Sequence, residues 1–182
     1  MNFEFARNEF ADLAIIKPRI FSDERGHFYE SYKYSDFEKG LIKDNFLQDN
    51  HSYSTYGVVR GMHFQVGPKQ QSKLVRCIKG EIFDCVVDLR RSSKTFGKVF
   101  GINLSEENKL MLYVPEGFAH GFSVLSKEAE VSYKVSAEYD PKSEQGIRFD
   151  DPDLAIDWKV KNPIVSSKDQ ILPFLKDLKT NF

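Results

Sequence analysis

An all-β sandwich or barrel is the architecture predicted for this chain of 182 residues. Short apolar, β-branched and aromatic runs recur along most of its length, turn residues punctuate them at close spacing, and helical periodicity is scarce. The runs cover 13–21, 27–32, 46–53, 58–64, 73–78, 82–89, 99–104, 110–114, 118–125 and 129–135. Asp23-Glu24-Arg25-Gly26, Lys79-Gly80, Ser92-Ser93-Lys94, Ser105-Glu106-Glu107-Asn108 and Ser126-Lys127-Glu128 separate them and have turn chemistry. A few short helices are expected, mainly near the C-terminus. Ser35-Asp36-Phe37-Glu38 opens one, with Ser35 as its N-cap. A second spans 168–178, with Ser167 or Asp169 near its start and Pro173 breaking or kinking it. Beyond Glu138 the strand rhythm fades and Pro, Asp and Lys increase. That tail is expected to wrap the β core, so residues 1–182 read as one domain.

Composition narrows the function. Lys plus Arg is 26 and Asp plus Glu is 27, a formal net charge of -1. Near-neutrality argues against a general nucleic-acid binder or a polybasic membrane binder, and leaves room for a local basic pocket. No apolar run reaches membrane-spanning length and the N-terminus lacks a signal-peptide pattern, so a soluble, cytoplasmic protein is expected. Cys77 and Cys85 fit neither a redox pair nor a zinc knuckle. They read as buried thiols, or as neighbours across a hairpin, without a functional role.

The chemistry is sought first among His27, His51, His63 and His120, since histidine exchanges protons near neutral pH. His63 lies in Arg60-Gly61-Met62-His63-Phe64-Gln65. Strict alternation puts Arg60 and Met62 on one face and Gly61, His63 and Gln65 on the other, with Gly61 leaving room beside the imidazole. Read alone, His63 is equally a core histidine bonded to a carbonyl. His120 lies in Pro115-Glu116-Gly117-Phe118-Ala119-His120, the Pro-x-Gly-x-x-His pattern of the second cupin motif. A metal-binding cupin needs a His-x-His pair in its first motif, and here that strand reads His63-Phe64-Gln65. About three protein ligands are needed and only two candidates stand out, so a metal site is disfavoured. Lys73 sits at the mouth of a strand, where a solvated surface lysine is the ordinary alternative. Tyr133 shares a strand face with Val131 and Val135, either as a core tyrosine or as a proton donor. No G-x-G-x-x-G or P-loop is present, and no cofactor is expected.

Taken in order, these segments resemble the dTDP-4-dehydrorhamnose 3,5-epimerase family, metal-free enzymes on a cupin-type jelly roll. The resemblance rests on residues 23–30 (Asp-Glu-Arg-Gly-His-Phe-Tyr-Glu), 48–52 (Gln-Asp-Asn-His-Ser), 59–65, 73–76 (Lys-Leu-Val-Arg), 87–92, 115–122, 151–158 (Asp-Pro-Asp-Leu-Ala-Ile-Asp-Trp) and 164–169. Departures are mild: Met62 and Phe64 replace the common Leu and Tyr, and Ser167 a common acidic residue.

The resemblance implies epimerisation at C3 and C5 of a dTDP-4-keto-6-deoxy sugar. It makes His63 the base, Asp169 its orienting carboxylate, Tyr133 the acid on the opposite face and Lys73 the cation beside the enolate oxygen. It also implies that His120 contacts substrate and that Tyr139 stacks on the thymine. Arg25, Glu30, Gln48, Asp49, Asn50, Arg60, Glu144 and Lys168 match nucleotide and diphosphate contacts, some supplied across a homodimer. A single-carbon epimerase or ketoisomerase on a related sugar, a metal-dependent cupin oxygenase and a non-catalytic sugar-nucleotide binder are the alternatives.

Overall fold

The computed structural model describes residues 1–179 and 182. In chain order the strands are β1 (Phe3–Arg7), β2 (Ala14–Pro18), β3 (Phe21–Asp23), β4 (Gly26–Phe28), β5 (Gln48–Thr55), β6 (Val58–Gln65) and β7 (Lys73–Lys79). They continue as β8 (Glu81–Asp88), β9 (Val99–Ser105), β10 (Met111–Val114), β11 (Phe118–Val124), β12 (Glu128–Val135), β13 (Glu144–Gly146) and β14 (Ile164–Val165). Helix α1 is Tyr34–Lys39 and α2 is Ser167–Gln170, with single 3-10 turns at Gly67–Lys69 and Leu175–Asp177.

Two sheets form the expected jelly-roll sandwich. The first runs β1–β2–β10–β7–β12–β5 and the second β13–β6–β11–β8–β9, with β14 added parallel to β6. Strands β3 and β4 form a hairpin that belongs to neither sheet.

Period-two burial explains the layers. Along β8, Ile82 and Val86 point inward to meet Val75, Leu112, Phe118, Phe122 and Val131 from both sheets. The alternate residues Cys85 and Val87 face outward and are covered by the tail through Leu154 and Trp158. The outer face of the first sheet is covered by Phe37 of α1 with Phe3, Ile16 and Met111. Each such fully buried side chain contributes roughly 1.5–3 kcal/mol. An exposed pair such as Lys98–Glu9 contributes about 0–1 kcal/mol, so apolar layering dominates stability. Among the described residues no helix is long and apolar enough to cross a membrane.

Several expectations are corrected. The longer helix, α1, lies in the N-terminal third, and its N-cap is Lys33, with Ser35 inside the helix. Burial of Phe37 sets its phase and Asp36 accepts a bond from the Asn2 amide at 3.0 Å. Pro173 does break the C-terminal helix, leaving one turn of α2 capped by Ser166 and a separate 3-10 turn. Cys77 and Cys85 are not neighbours across a hairpin, because the Lys79-Gly80 turn carries the chain from the first sheet to the second. Both thiols are free and buried, and burial raises both, Cys77 to about 12, so they are protonated at neutral pH. The run at 27–32 yields only β4, while β1, β13 and β14 lie outside the expected runs. The alternation Phe3-Glu4-Phe5-Ala6 is the trace that marks β1.

Candidate active site

Strands of both sheets line a cavity of about 630 Å³. His63 on β6 and His120 on β11 enter from the second sheet, and Lys73 on β7 and Tyr133 on β12 enter from the first. His63 and His120 face each other in the antiparallel β6–β11 register.

The β6 strand is not a regular alternation. Its register with β11 pairs His63 with His120 but Arg60 with Phe122, so β6 carries one extra residue there. This bulge brings Arg60 onto the cavity with His63 and Gln65, while Met62 joins Val59 and Phe64 in the outer cluster. Gly61 does not leave room beside the imidazole. Its φ is +117°, and a Cβ there would meet Gly121 Cα at 2.6 Å and the His120 carbonyl oxygen at 2.7 Å. The glycine instead lets β11 approach closely.

His63 Nε2 lies 2.7 Å from Asp169 Oδ1. The second oxygen of Asp169 accepts from the Gly61 amide at 3.3 Å. Burial pushes the Asp169 carboxyl upward, but its bonds to His63, Gly61 and Ser166 outweigh this and hold it below its usual range. An ionised Asp169 accepts the Nε2 proton and leaves Nδ1 as the lone-pair nitrogen. His120 is buried and held by Asp84 of β8, with Nε2 at 2.9 and 3.1 Å from the two carboxylate oxygens.

Lys73 is buried, and its ammonium donates to the His63 carbonyl oxygen at 3.1 Å. Burial lowers it to about 8, against the upward pull of Asp84 and Glu144. Burial raises the Tyr133 phenol, with Arg60 opposing and Glu144 reinforcing. Tyr133 therefore holds its proton through the neutral range.

The rest of the cavity is polar. Arg60 is fixed by Ser54 Oγ at 3.0 Å and by the Tyr53 carbonyl at 3.2 Å. Glu144 accepts from Tyr139 at 2.7 Å and pairs with Lys168. Burial raises the Glu144 carboxyl, but Lys168 and Tyr139 hold it below its ordinary value. The Gln48 amide donates to Asn50 at 2.8 Å and its oxygen accepts from the Tyr139 backbone at 2.9 Å. Among the described residues no group of three or more His, Cys, Asp or Glu is arranged to hold a metal ion.

Of the expected residues, His63, Lys73, Tyr133, Asp169, Gln48, Asn50, Arg60, His120, Tyr139, Glu144 and Lys168 share this cavity. Arg25, Glu30 and Asp49 do not. Asp49 falls between Gln48 and Asn50 on β5, so alternation turns it outward to Lys134 at 2.8 Å. Arg25 sits at the exposed β3–β4 turn, paired with Asp23, and Glu30 accepts from the Asn2 side chain at 2.9 Å. His27 is exposed beside Tyr29, and His51 pairs with Glu130 at 3.2 Å on the outer face.

Sequence reasoning missed Asp84, although a lone carboxylate inside Ile82-Phe83-Asp84-Cys85-Val86-Val87 requires a buried partner. It also missed Ser52, whose buried hydroxyl lines the cavity without a hydrogen-bond partner among the described residues.

Comparison with known proteins returns one family, whose similar members include 3,5-epimerases and a dTDP-4-dehydrorhamnose 3-epimerase from Streptomyces niveus, 41% identical over 156 residues, covering 85% of this chain and 75% of the relative. The family described as dTDP-4-dehydrorhamnose 3,5-epimerase matches residues 7–177. A protein of that name from Shigella flexneri is 52% identical over 164 residues, covering 90% of this chain and 91% of the relative. The crystal structure of a dTDP-4-dehydrorhamnose 3,5-epimerase from Elizabethkingia anophelis superposes with a TM-score of 0.92 at 49% identity, covering 97% of this chain and 98% of that one. A dTDP-6-deoxy-D-glucose-3,5-epimerase from Legionella pneumophila, in complex with dTDP-4-keto-L-rhamnose, gives a TM-score of 0.93 at 44% identity, covering 97% and 95%.

Proposed function

The chain belongs to the dTDP-4-dehydrorhamnose 3,5-epimerase family, and from that premise we propose that it converts dTDP-4-dehydro-6-deoxy-D-glucose to dTDP-4-dehydro-L-rhamnose by inverting C3 and C5. The observation that carries this reading is the placement of His63, paired with Asp169, and Tyr133 on opposite walls of one cavity, with buried Lys73 beside them.

The chemistry follows from the 4-ketone. Hydrogens on C3 and C5 are acidified because the carbanion delocalises onto the ketone oxygen. His63 Nδ1 removes the proton from one face, and the resulting imidazolium is stabilised by Asp169. Charge that develops on O4 is met by the Lys73 ammonium, preorganised by its burial and its bond to the His63 carbonyl. Tyr133 returns a proton from the opposite face, which inverts the carbon. His63 then loses its proton to solvent and Tyr133 regains one, so the cycle balances without a redox step or cofactor. Each positioned acid or base contributes about 10²–10⁴-fold.

His120, oriented by Asp84, contacts the sugar on this reading. Arg60 and Lys168 neutralise the diphosphate with Gln48 and Asn50 beside it, Glu144 also contacts the nucleotide, and Tyr139 stacks on the thymine. Arg25 and Glu30 lie off the cavity of their own chain and are assigned to the neighbouring cavity of a homodimer. The hairpin that carries Arg25 exposes Phe21 and Phe28 and joins neither sheet, which supports that assignment. Asp49, turned outward, is assigned to the same nucleotide-binding edge. Residues 1–182 act as one domain, in the cytoplasm where nucleotide sugars are made.

Proton NMR of the dTDP-4-keto-6-deoxyglucose substrate in deuterated water, with chelator-treated protein, tests the proposal. Deuterium entering at both C3 and C5, with the rhamnose configuration trapped by a reductase, is the expected result. Exchange at one carbon alone identifies a single-carbon epimerase. No exchange at either overturns the assignment.

A further inference from the structure

Asp169 is carried by α2, a single turn of helix that has no core of its own. Apart from the Gly61 amide on its carboxylate, it is held against His63 by its flanks. On the N-terminal side β14 pairs with Val58 and Val59 of β6. On the C-terminal side the chain leaves through Ile171, which is 83% exposed, and Leu172, which packs where a side chain on Gly146 would sit. Two hydrogen bonds then fasten it: the Arg148 amide donates to the Pro173 carbonyl at 3.0 Å, and the Leu175 amide donates to Asp151 Oδ2 at 2.6 Å.

Asp151 is only 1% exposed. Its other oxygen accepts from the amides of Asp153 at 2.8 Å and Leu154 at 3.3 Å. One carboxylate thus joins the 151–154 turn to the tail. The segment that ends at Asp151 is itself locked to β6, because Ile147 and Met62 exchange backbone bonds at 3.0 and 3.1 Å and Gly146 pairs with His63. The strand bearing His63 and the tail bearing Asp169 are therefore referenced to the same short stretch, 146–151.

We propose that Asp151 is a positioning residue of the active site: by holding the Leu175 amide it fixes the tail, and through the tail the alignment of Asp169 with His63. It touches neither substrate nor the reacting groups. The inference rests on the base role given to His63 above. Misplacing a catalytic pair by about 1 Å can cost on the order of 10²-fold even when the change is remote, so a clamp that sets its alignment matters to rate.

Two substitutions break the clamp from opposite sides. Asp151→Asn turns an amide NH2 toward one of its donors. Leu175→Pro removes the amide while leaving Asp151 intact. Leu175 is the first residue of its 3-10 turn and Phe174 before it is extended (φ -76°, ψ 159°), so proline fits there. Leu175→Ala removes the same packing but keeps the amide, and Asp169→Asn is the reference for a broken pair. The readouts are kcat and the imidazole tautomer of His63 by nitrogen-15 NMR, which a loss of packing alone does not move.

Expected in Asp151→Asn and Leu175→Pro are a mixed His63 tautomer and a kcat lower by about 10²-fold, approaching Asp169→Asn, while Leu175→Ala keeps a single tautomer and most of its kcat. If Asp151→Asn does not fold, Leu175→Pro against Leu175→Ala decides. The inference is overturned if Asp169→Asn shows both effects but the clamp variants match the parent. An Asp169→Asn variant with neither effect instead removes the His63–Asp169 reading, and the inference with it.

Discussion

His63 and His120 oppose each other on adjacent antiparallel strands, and each is bound by a different carboxylate, Asp169 from the tail and Asp84 from β8. The two imidazoles differ in access. His120 is buried, whereas His63 keeps a 30% exposed side chain toward the cavity. Both line the cavity, but His63 is the more open of the two, in keeping with the base role proposed for it. In His63→Ala, turnover is expected to fall by at least about 10²–10⁴-fold, with dTDP affinity by calorimetry close to the parent. Full activity in that variant would take the base role away from His63.

Tyr133 makes a separable prediction. In Tyr133→Phe the base and the Lys73 ammonium remain, so a proton can leave and return on the same face. Deuterium exchange into the substrate is expected to persist, with net inversion slowed by about 10²–10⁴-fold. Loss of exchange in step with inversion would show that Tyr133 is not confined to the return step.

Lys73 couples activity and stability to pH in opposite senses. Its folded value is about 8, below the ordinary 10.5, because burial disfavours the ammonium. Between those values the unfolded chain binds the extra proton, so stability rises with pH across that window. Below about pH 8 the folded protein carries the full penalty, on the order of 3 kcal/mol. In the proposed role beside the enolate Lys73 acts in its charged form, so turnover is expected to decline as pH rises through about 8. Lys73→Met is expected to raise Tm at pH 7 by several degrees and to lower kcat by about 10²–10³-fold, the cost of removing a preorganised donor. Thermal melts at pH 7 and pH 10 check the sign: the gain in Tm should shrink at the higher pH.

Much of this was legible from residue patterns. The runs at 58–64, 82–89, 99–104, 118–125 and 129–135 became β6, β8, β9, β11 and β12, since burial of one face, or of both in β8 and β11, selects apolar residues along the strand. The residues proposed as the catalytic set were legible one by one, but their assembly in one cavity was not. Asp169 reaches His63 across 106 positions of sequence, and no local periodicity records that contact. Asp49 shows the converse: it is adjacent in sequence to Gln48 and Asn50, yet the strand splits it from both and turns it to Lys134. Short β13 and β14 left no pattern because strands of two or three residues have none to show.

The place where alternation misled is also a place to test. Strict period two put Arg60 opposite His63, and the bulge at Gly61 and Met62 puts them on one wall. That bulge depends on a residue without a side chain, since φ is +117° and both nearest contacts of a Cβ would be backbone atoms of β11. Backbone cannot swing aside as a side chain can, so Gly61→Ala must either separate β6 from β11 or rebuild the bulge. The left-handed conformation alone costs on the order of 1–3 kcal/mol, and the clash adds to it. Urea unfolding is expected to show a lower midpoint with an unchanged slope. Because the Gly61 amide also donates to Asp169, kcat should fall more than the stability loss explains at temperatures where the variant is fully folded. A Gly61→Ala protein with parental stability and rate would mean that the close approach of β6 and β11 does not govern the placement of His63.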